Sequence, residues 1–163
     1  MKWWDGLWLN EGFASYVEHI GTNIAKPAWN FLSEGFFYAT TLRRALALDA
    51  LASSHAIQAD DYTIRLNGDI DALFDGVSYD KGGSLIRMAR LRMAGGACRN
   101  TPYAPLEDEL AAECPQGDPF LVGLREYVDT HAYSSASTED LWAALASAPC
   151  LADGTGVECW TGS

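Results

Sequence analysis

The chain has 163 residues, of which 48% are apolar and 12% aromatic, and its 11 basic against 22 acidic residues give a net charge of -11. This length fits one domain, and the apolar content excludes the composition typical of disordered chains. The acidic balance argues against binding to nucleic acid or to anionic membranes, which both reward clustered Lys and Arg. No run approaches the roughly 20 apolar residues that span a bilayer.

The four cysteines all lie after position 97 and show neither CxxC spacing nor a neighbouring His (Cys98, Cys114, Cys150, Cys159). Two local disulfides, Cys98 to Cys114 and Cys150 to Cys159, and free thiols of an intracellular protein are equally compatible with this pattern. The cysteines therefore leave the compartment undecided.

Helical periodicity dominates the first half of the chain. Apolar residues predict one amphipathic helix from Glu11, with Asn10 as its N-cap, up to Pro27, and a second and longest helix from Ala28 to Ala52. Residues 53–67 read as a loop, and 68–74 as a short turn of helix. Four tryptophans fall in apolar stretches of this half and are predicted to pack in the core (Trp3, Trp4, Trp8, Trp29).

The second half continues the helical pattern. We predict a helix with a basic outer face over 80–93, an acidic surface insertion over 94–119 and a helix along 120–128. Thr138 is predicted to be the N-cap of a last helix, before an irregular tail over 149–163. Strand-type alternation is nearly absent, so the predicted fold class is all-α.

The most informative segment is WWDGLWLNEGFASY, which runs from Trp3 to Tyr16 and places Glu11 in an apolar surround at the predicted first turn of a helix. A carboxylate there must be capped, paired or bound to a cation. On periodicity alone, a favourable interaction with the helix dipole is the simpler explanation.

Four collinear segments nevertheless resemble the zinc aminopeptidases of the membrane alanyl and puromycin-sensitive type. They are WLNEGFA around Glu11, DALASSH ending at His55, LFDGVSYDKG around Tyr79, and the stretch from Tyr127 to Leu145. The resemblance implies the C-terminal, mostly helical part of a thermolysin-like catalytic domain over residues 1–148. It also implies an enzyme that removes single residues from peptides with a free N-terminus.

Carried over residue by residue, the resemblance makes Glu11 the third ligand of one Zn²⁺ ion. Three protein ligands leave a position for a water molecule, whose pKa the metal lowers. Tyr79 matches the tyrosine whose phenol donates a hydrogen bond to the oxyanion of the tetrahedral intermediate. Judged without the family match, Tyr79 reads as an aromatic residue that packs on the core.

The sequence departs from the family pattern upstream of Glu11. Only ten residues precede it, so the HExxH segment with two His ligands and the general base is missing, as is the Gly-x-Met-x-Asn segment. His19, His55 and His131 do not form that motif, and none is predicted to bind metal. We therefore expect an incomplete chain that starts at an internal Met and is inactive by itself.

Two non-enzymatic hypotheses remain at this point. The chain could be a non-catalytic helical module that binds peptides or partner proteins through exposed Trp surface. It could also be a fragment without independent function, whose orphaned apolar face makes it poorly soluble.

Overall fold

The computed structural model describes residues 1–29, 31, 36–59, 64–93 and 118–148. These residues form α-helices joined by short turns and include no β-strand, so the all-α prediction is confirmed for them. The helices are α1 (Leu7–Ala25), α2 (Arg43–Asp49), α3 (Asn67–Ala72), α4 (Gly82–Met93), α5 (Pro119–Thr130) and α6 (Thr138–Ser147). No helix within these ranges is long and apolar enough to cross a membrane.

The chain divides into two compact units, Met1–Arg87 and Met88–Ser163. In the first unit α1 begins four residues earlier than predicted. A 3-10 turn over Trp4–Gly6 leads directly into Leu7, and Gly6 stands at the N-cap position, so Asn10 lies inside the helix and does not cap it. The predicted end is correct: the helix stops at Ala25, ahead of Pro27, which fixes its own backbone and cannot donate a hydrogen bond.

The prediction of one long helix over Ala28 to Ala52 is wrong. Pro27–Trp29 forms a separate 3-10 turn and Phe31 lies in a turn, while a π-helical turn over Tyr38–Leu42 leads into the short α2. Periodicity could not detect the break because apolar residues continue through it. The predicted loop after α2 contains no helix at residues 53–59 and 64–66.

The predicted short helix at 68–74 is confirmed as α3. Asp69 in its first turn reaches back to the preceding residues: its Oδ2 accepts hydrogen bonds from the backbone N–H groups of Arg65 and Leu66, both at 2.8 Å. These bonds lower the pKa of Asp69.

The predicted helix over 80–93 is confirmed as α4, which follows a π-helical turn over Val77–Lys81. Its predicted basic outer face is wrong in part. Arg90 is buried, while Met88 is exposed. In the first unit the Arg87 guanidinium lies over the rings of Phe37 and Tyr38, at 5.2 and 4.8 Å from their centroids.

In the second unit α5 packs against α6 around Phe120, Leu141 and Leu145, all at most 2% exposed. Asp118 caps α5 by accepting from the N–H of Phe120 at 2.9 Å, and its other oxygen accepts from Arg90 Nε at 2.7 Å. Asp118 and Pro119, the last residues of the predicted insertion, are therefore buried parts of a helix start.

The N-cap of the last helix lies one residue earlier than predicted. Ser137 is the N-cap of α6 and forms a capping box with Asp140, while Thr138 is the first helical residue. Residues 94–117, the tail over 149–163 and the four cysteines lie outside the described residues.

The tryptophan prediction is correct for one residue and wrong for two. Trp8 is 2% exposed and belongs to the core, but Trp3 and Trp29 are 50% and 64% exposed in the described structure. Trp4 is half-buried, with its ring 6.3 Å from that of Phe74.

Candidate active site

Glu11 is the fifth residue of α1 and is partly exposed. Because α1 begins at Leu7, Glu11 lies in the second turn, and the first turn contains no acidic residue. The interaction of a carboxylate with the helix dipole falls off within the first turn. The simple dipole explanation therefore loses its basis, and Glu11 needs another partner.

That partner is Tyr79, which lies 68 positions further along the chain in the π-helical turn Val77–Lys81. The pKa of the Tyr79 phenol is raised by burial first, and then by a hydrogen bond to the Glu11 carboxylate and by its negative charge. The structure thus brings together the two residues that the sequence singled out. The phenol donates and the carboxylate accepts.

Three glycines make this meeting possible. A Cβ atom at Gly12 would lie 2.7 Å from the carbonyl carbon of Gly82, and one at Gly83 would lie 3.2 Å from Cβ of Ser15. The backbones of α1 and of the start of α4 are therefore in direct contact, which only residues without a side chain permit. Glu11 and Tyr79 each lie close to this contact in sequence.

The turn that carries Tyr79 is also fixed to its surroundings by three acidic residues. Asp75 accepts hydrogen bonds from the N–H groups at the start of the turn and from His55. Asp80, which is buried, accepts from Arg44 at 2.6 Å, and Lys81 reaches Asp49 of α2 at 2.6 Å. Asp80 raises the pKa of Arg44, and the Lys81 hydrogen bond lowers that of Asp49.

An open cleft of about 680 Å³ lies beside this turn, within the first unit. Its lining combines Asp75, Gly76, Tyr79 and Asp80 with residues of α1 and with aromatic rings. The charged and titratable lining residues are Glu18, His19, Arg44, Asp75 and Asp80. The cleft offers an apolar wall and charged groups next to the Tyr79 phenol, as small-ligand sites commonly do.

The three histidines have other partners. His19 is buried, with Nδ1 2.6 Å from the carbonyl oxygen of Ser15. His55 bonds Asp75, and the ring of His131 lies 5.4 Å from that of Tyr127.

The described residues do not by themselves fit a zinc ion. Within the described ranges, no group of three or more His, Cys, Asp or Glu side chains could hold a metal ion. Glu11 offers a single carboxylate, and one carboxylate is a weak ligand for an ion that prefers three or four nitrogen, sulfur or oxygen donors.

Sequence reasoning missed the residues that hold the pair in place. Asp75, Gly12 and Gly82 lie inside the motifs around Glu11 and Tyr79, and Gly83 directly follows the second motif, but the sequence analysis assigns them no role. Their signal was present: a helical Gly next to a candidate ligand indicates a close backbone approach.

Residues 1–97 match the model of the peptidase family M1 domain. The chain is 43% identical over 145 residues to aminopeptidase M1-B of Oryza sativa subsp. japonica, which covers 89% of this chain and 13% of that protein. It is 36% identical over 148 residues to the mitochondrial aminopeptidase 2 of Saccharomyces cerevisiae, covering 91% and 13%. It is 38% identical over 142 residues to aminopeptidase N of Mus musculus, covering 87% and 12%. The chain thus spans about one eighth of the length of these relatives.

Proposed function

From the premise that the chain belongs to peptidase family M1, we propose that it forms part of a zinc-dependent aminopeptidase, which hydrolyses the N-terminal residue of peptides. The observation that carries the proposal is the contact between Glu11 and Tyr79. Two residues far apart in sequence, each singled out by a separate motif, interact, and one of them, Tyr79, lines an open cleft.

In this proposal Glu11 supplies one carboxylate ligand to a zinc ion whose other ligands lie outside the described residues. The bound metal would supply an acidic water molecule and polarise the peptide carbonyl. Glu11 is partly exposed, so its carboxylate is accessible to an ion that other residues also hold.

Tyr79 donates a hydrogen bond to the negative oxygen that develops on the substrate carbonyl. Its phenol holds its proton strongly, because burial and the Glu11 charge both raise its pKa. A donor that stays protonated near neutral pH and is fixed in position suits the stabilisation of an oxyanion.

The chain by itself is proposed to be inactive, because a single carboxylate and a phenol lack the general base and the remaining ligands. A second candidate function is a non-catalytic helical module that binds peptides or proteins, which is favoured by the exposure of Trp3 and Trp29. That module would bind partners without zinc and without turnover.

The test uses this chain alone and a chimera in which it replaces the 145 matching residues of the rice aminopeptidase M1-B. The chain alone is expected to release no product from an aminoacyl-p-nitroanilide, while the chimera hydrolyses it and contains zinc. A folded, zinc-loaded chimera without turnover would refute the enzymatic proposal and favour the module.

Two substitutions in the chimera separate the roles of the site residues. Loss of a residue that only supports a metal ligand reduces metal affinity roughly 10–100-fold. Glu11→Gln removes a ligand itself, so we expect it to reduce zinc affinity by more than that. Tyr79→Phe should lower kcat about 100- to 1,000-fold with the zinc content unchanged. Glu139→Gln, at an exposed position of α6, and Tyr133→Phe, fully exposed, are the matched controls. A fully active Tyr79→Phe chimera would rule out the oxyanion role.

A further inference from the structure

We infer that Asp75, held in turn by His55, is a positioning residue for Tyr79: it fixes the start of the turn that presents the phenol to Glu11. The inference rests on the proposed function for its catalytic consequence. Its structural content stands on the contacts within the first unit.

Asp75 collects the free N–H groups at the start of the Tyr79 turn. Its Oδ1 accepts from the backbone N–H of Val77 at 2.9 Å and of Ser78 at 3.2 Å. Its own carbonyl oxygen accepts from the N–H of Tyr79 at 3.1 Å. The N–H groups of Val77 and Ser78 lack acceptors within the helical segment and end on the Asp75 side chain, while the Tyr79 N–H makes an ordinary i to i−4 bond to the same residue.

His55 fixes the second carboxylate oxygen. Its Nε2 lies 3.0 Å from Oδ2 of Asp75, and its Nδ1 lies 2.8 Å from the carbonyl oxygen of Ala56. Both neighbours are acceptors, so each ring nitrogen donates when it carries a proton. The imidazole therefore links the loop after α2 to Asp75 and limits the rotation of the Asp75 carboxylate.

The pair contributes orientation more than stability. The side chains of His55 and Asp75 are 36% and 39% exposed, and ion pairs of that exposure contribute little to the free energy of unfolding. Losing the His55 pair should therefore change global stability little, and losing the cap bonds to Val77 and Ser78 should loosen the turn at the modest cost of one N-cap, which leaves the unit folded.

The other end of the turn is held independently. Asp80 and Lys81, the two residues after Tyr79, bind Arg44 and Asp49 at 2.6 Å each. With its far end tethered in this way, the freedom of the Tyr79 backbone depends on its near end, where Asp75 acts.

The first experiment measures amide hydrogen exchange and ring contacts by NMR in the full 163-residue chain. In Asp75→Ala, the amides of Val77 and Ser78 are expected to exchange about tenfold faster, and the contact between the Tyr79 ring and the Glu11 side chain to weaken. Exchange in α5 and α6 should be unchanged. Asp75→Asn keeps an acceptor oxygen and should restore protection to within about twofold of the wild type.

His55→Ala should accelerate amide exchange at Val77 and Ser78 less than Asp75→Ala does, since the Asp75 cap remains but loses its hydrogen bond to His55. Asp71→Ala is the control, because Asp71 is an exposed acid on the neighbouring α3. Equal exchange in Asp75→Ala and the wild type, or acceleration spread evenly over the chain, would overturn the inference.

The second experiment places the same substitutions in the chimera. Asp75→Ala should lower kcat about 10- to 100-fold, as small misplacements of catalytic groups do, with KM and zinc content unchanged. Asp75→Asn should rescue most of the loss. A purely structural role would lower only the folded fraction, so kcat is calculated per folded, zinc-loaded molecule; in that case the corrected kcat of Asp75→Ala would equal that of the wild type.

The two experiments fail in distinguishable ways. If the wild-type chimera shows no turnover, the proposed function fails, and the exchange data still decide whether Asp75 positions Tyr79. If the chimera is active and Asp75→Ala changes neither exchange nor kcat, the positioning role is refuted and the function stands.

Discussion

Replacing Gly12 by Ala tests whether the backbone contact between α1 and the start of α4 determines the stability of the first unit. The added Cβ atom would lie 2.7 Å from the carbonyl carbon and 2.9 Å from Cα of Gly82, about 0.7 Å closer than the 3.4 Å at which ordinary contact begins. These neighbours are backbone atoms, so they cannot rotate away as a flexible side chain would.

The expected cost can be estimated from two opposing effects. Overpacking in a well-packed interior costs about 1–3 kcal/mol. A Gly to Ala change in a helix contributes about 0.8–1.0 kcal/mol in the opposite direction through backbone entropy. Because the contact is with backbone, we expect a cost in the upper part of that range, about 2–3 kcal/mol, and therefore a net loss of about 1–2 kcal/mol in the free energy of unfolding.

Gly21 provides a control on the same helix. It is exposed, and a Cβ atom there would meet nothing within 4 Å. Gly21→Ala should therefore stabilise the chain by about 0.5–1 kcal/mol. The two variants differ only in what the new methyl group contacts, and urea unfolding followed by circular dichroism should separate them by about 1.5–3 kcal/mol. Equal stabilisation by both would refute the close-contact argument.

Two further predictions concern charged groups. Hydrogen bonds lower the pKa values of Asp49 and Asp69 in the folded chain. The stability that these two carboxylates contribute is therefore complete above the ordinary Asp pKa of about 3.9, and it is lost as the pH falls through their lower folded pKa values. Urea unfolding between about pH 5 and pH 2 should show this loss, and the double Asn variant should flatten it; an unchanged slope would contradict the assignment. Asp118→Ala removes the carboxylate that pairs with the buried Arg90 and should lower the free energy of unfolding by about 3–5 kcal/mol. The control Arg92→Ala, at an exposed position, should lower it by less than about 0.5 kcal/mol. Similar losses in the two variants would refute the importance of the Arg90–Asp118 pair.

The helical class and most helix positions could be predicted because apolar spacing is a local signal. The ends were harder. At α1, the motif around Asn10 resembles a cap, but the preceding Trp4–Gly6 turn already directs the chain into a helix. After Pro27, the apolar spacing continues through a break in the helix, so periodicity cannot show where a π-helical turn replaces an α-helical one.

The basic face of α4 was mispredicted for a different reason. Periodicity places Arg90 among the polar positions of the helix, but its burial depends on Asp118, which lies 28 residues further along the chain. Pairing between distant charges leaves no periodic trace. For the same reason, the sequence could identify Glu11 and Tyr79 separately through their motifs but not their contact.

The glycines connect these observations. Glu11 precedes Gly12, and Tyr79 precedes Gly82 by three positions, so the backbone contact that joins α1 to α4 also fixes the distance between the two candidate site residues. A methyl group inserted at that contact separates the helices and must shift Glu11 relative to Tyr79. Asp75 also affects the distance between Glu11 and Tyr79, because it holds the start of the turn that carries the Tyr79 phenol. Gly12→Ala should therefore weaken the contact between Tyr79 and Glu11 by separating the two helices, whereas Asp75→Ala should weaken that contact by loosening the turn, with the loss of about 1 kcal/mol that removal of one N-cap causes.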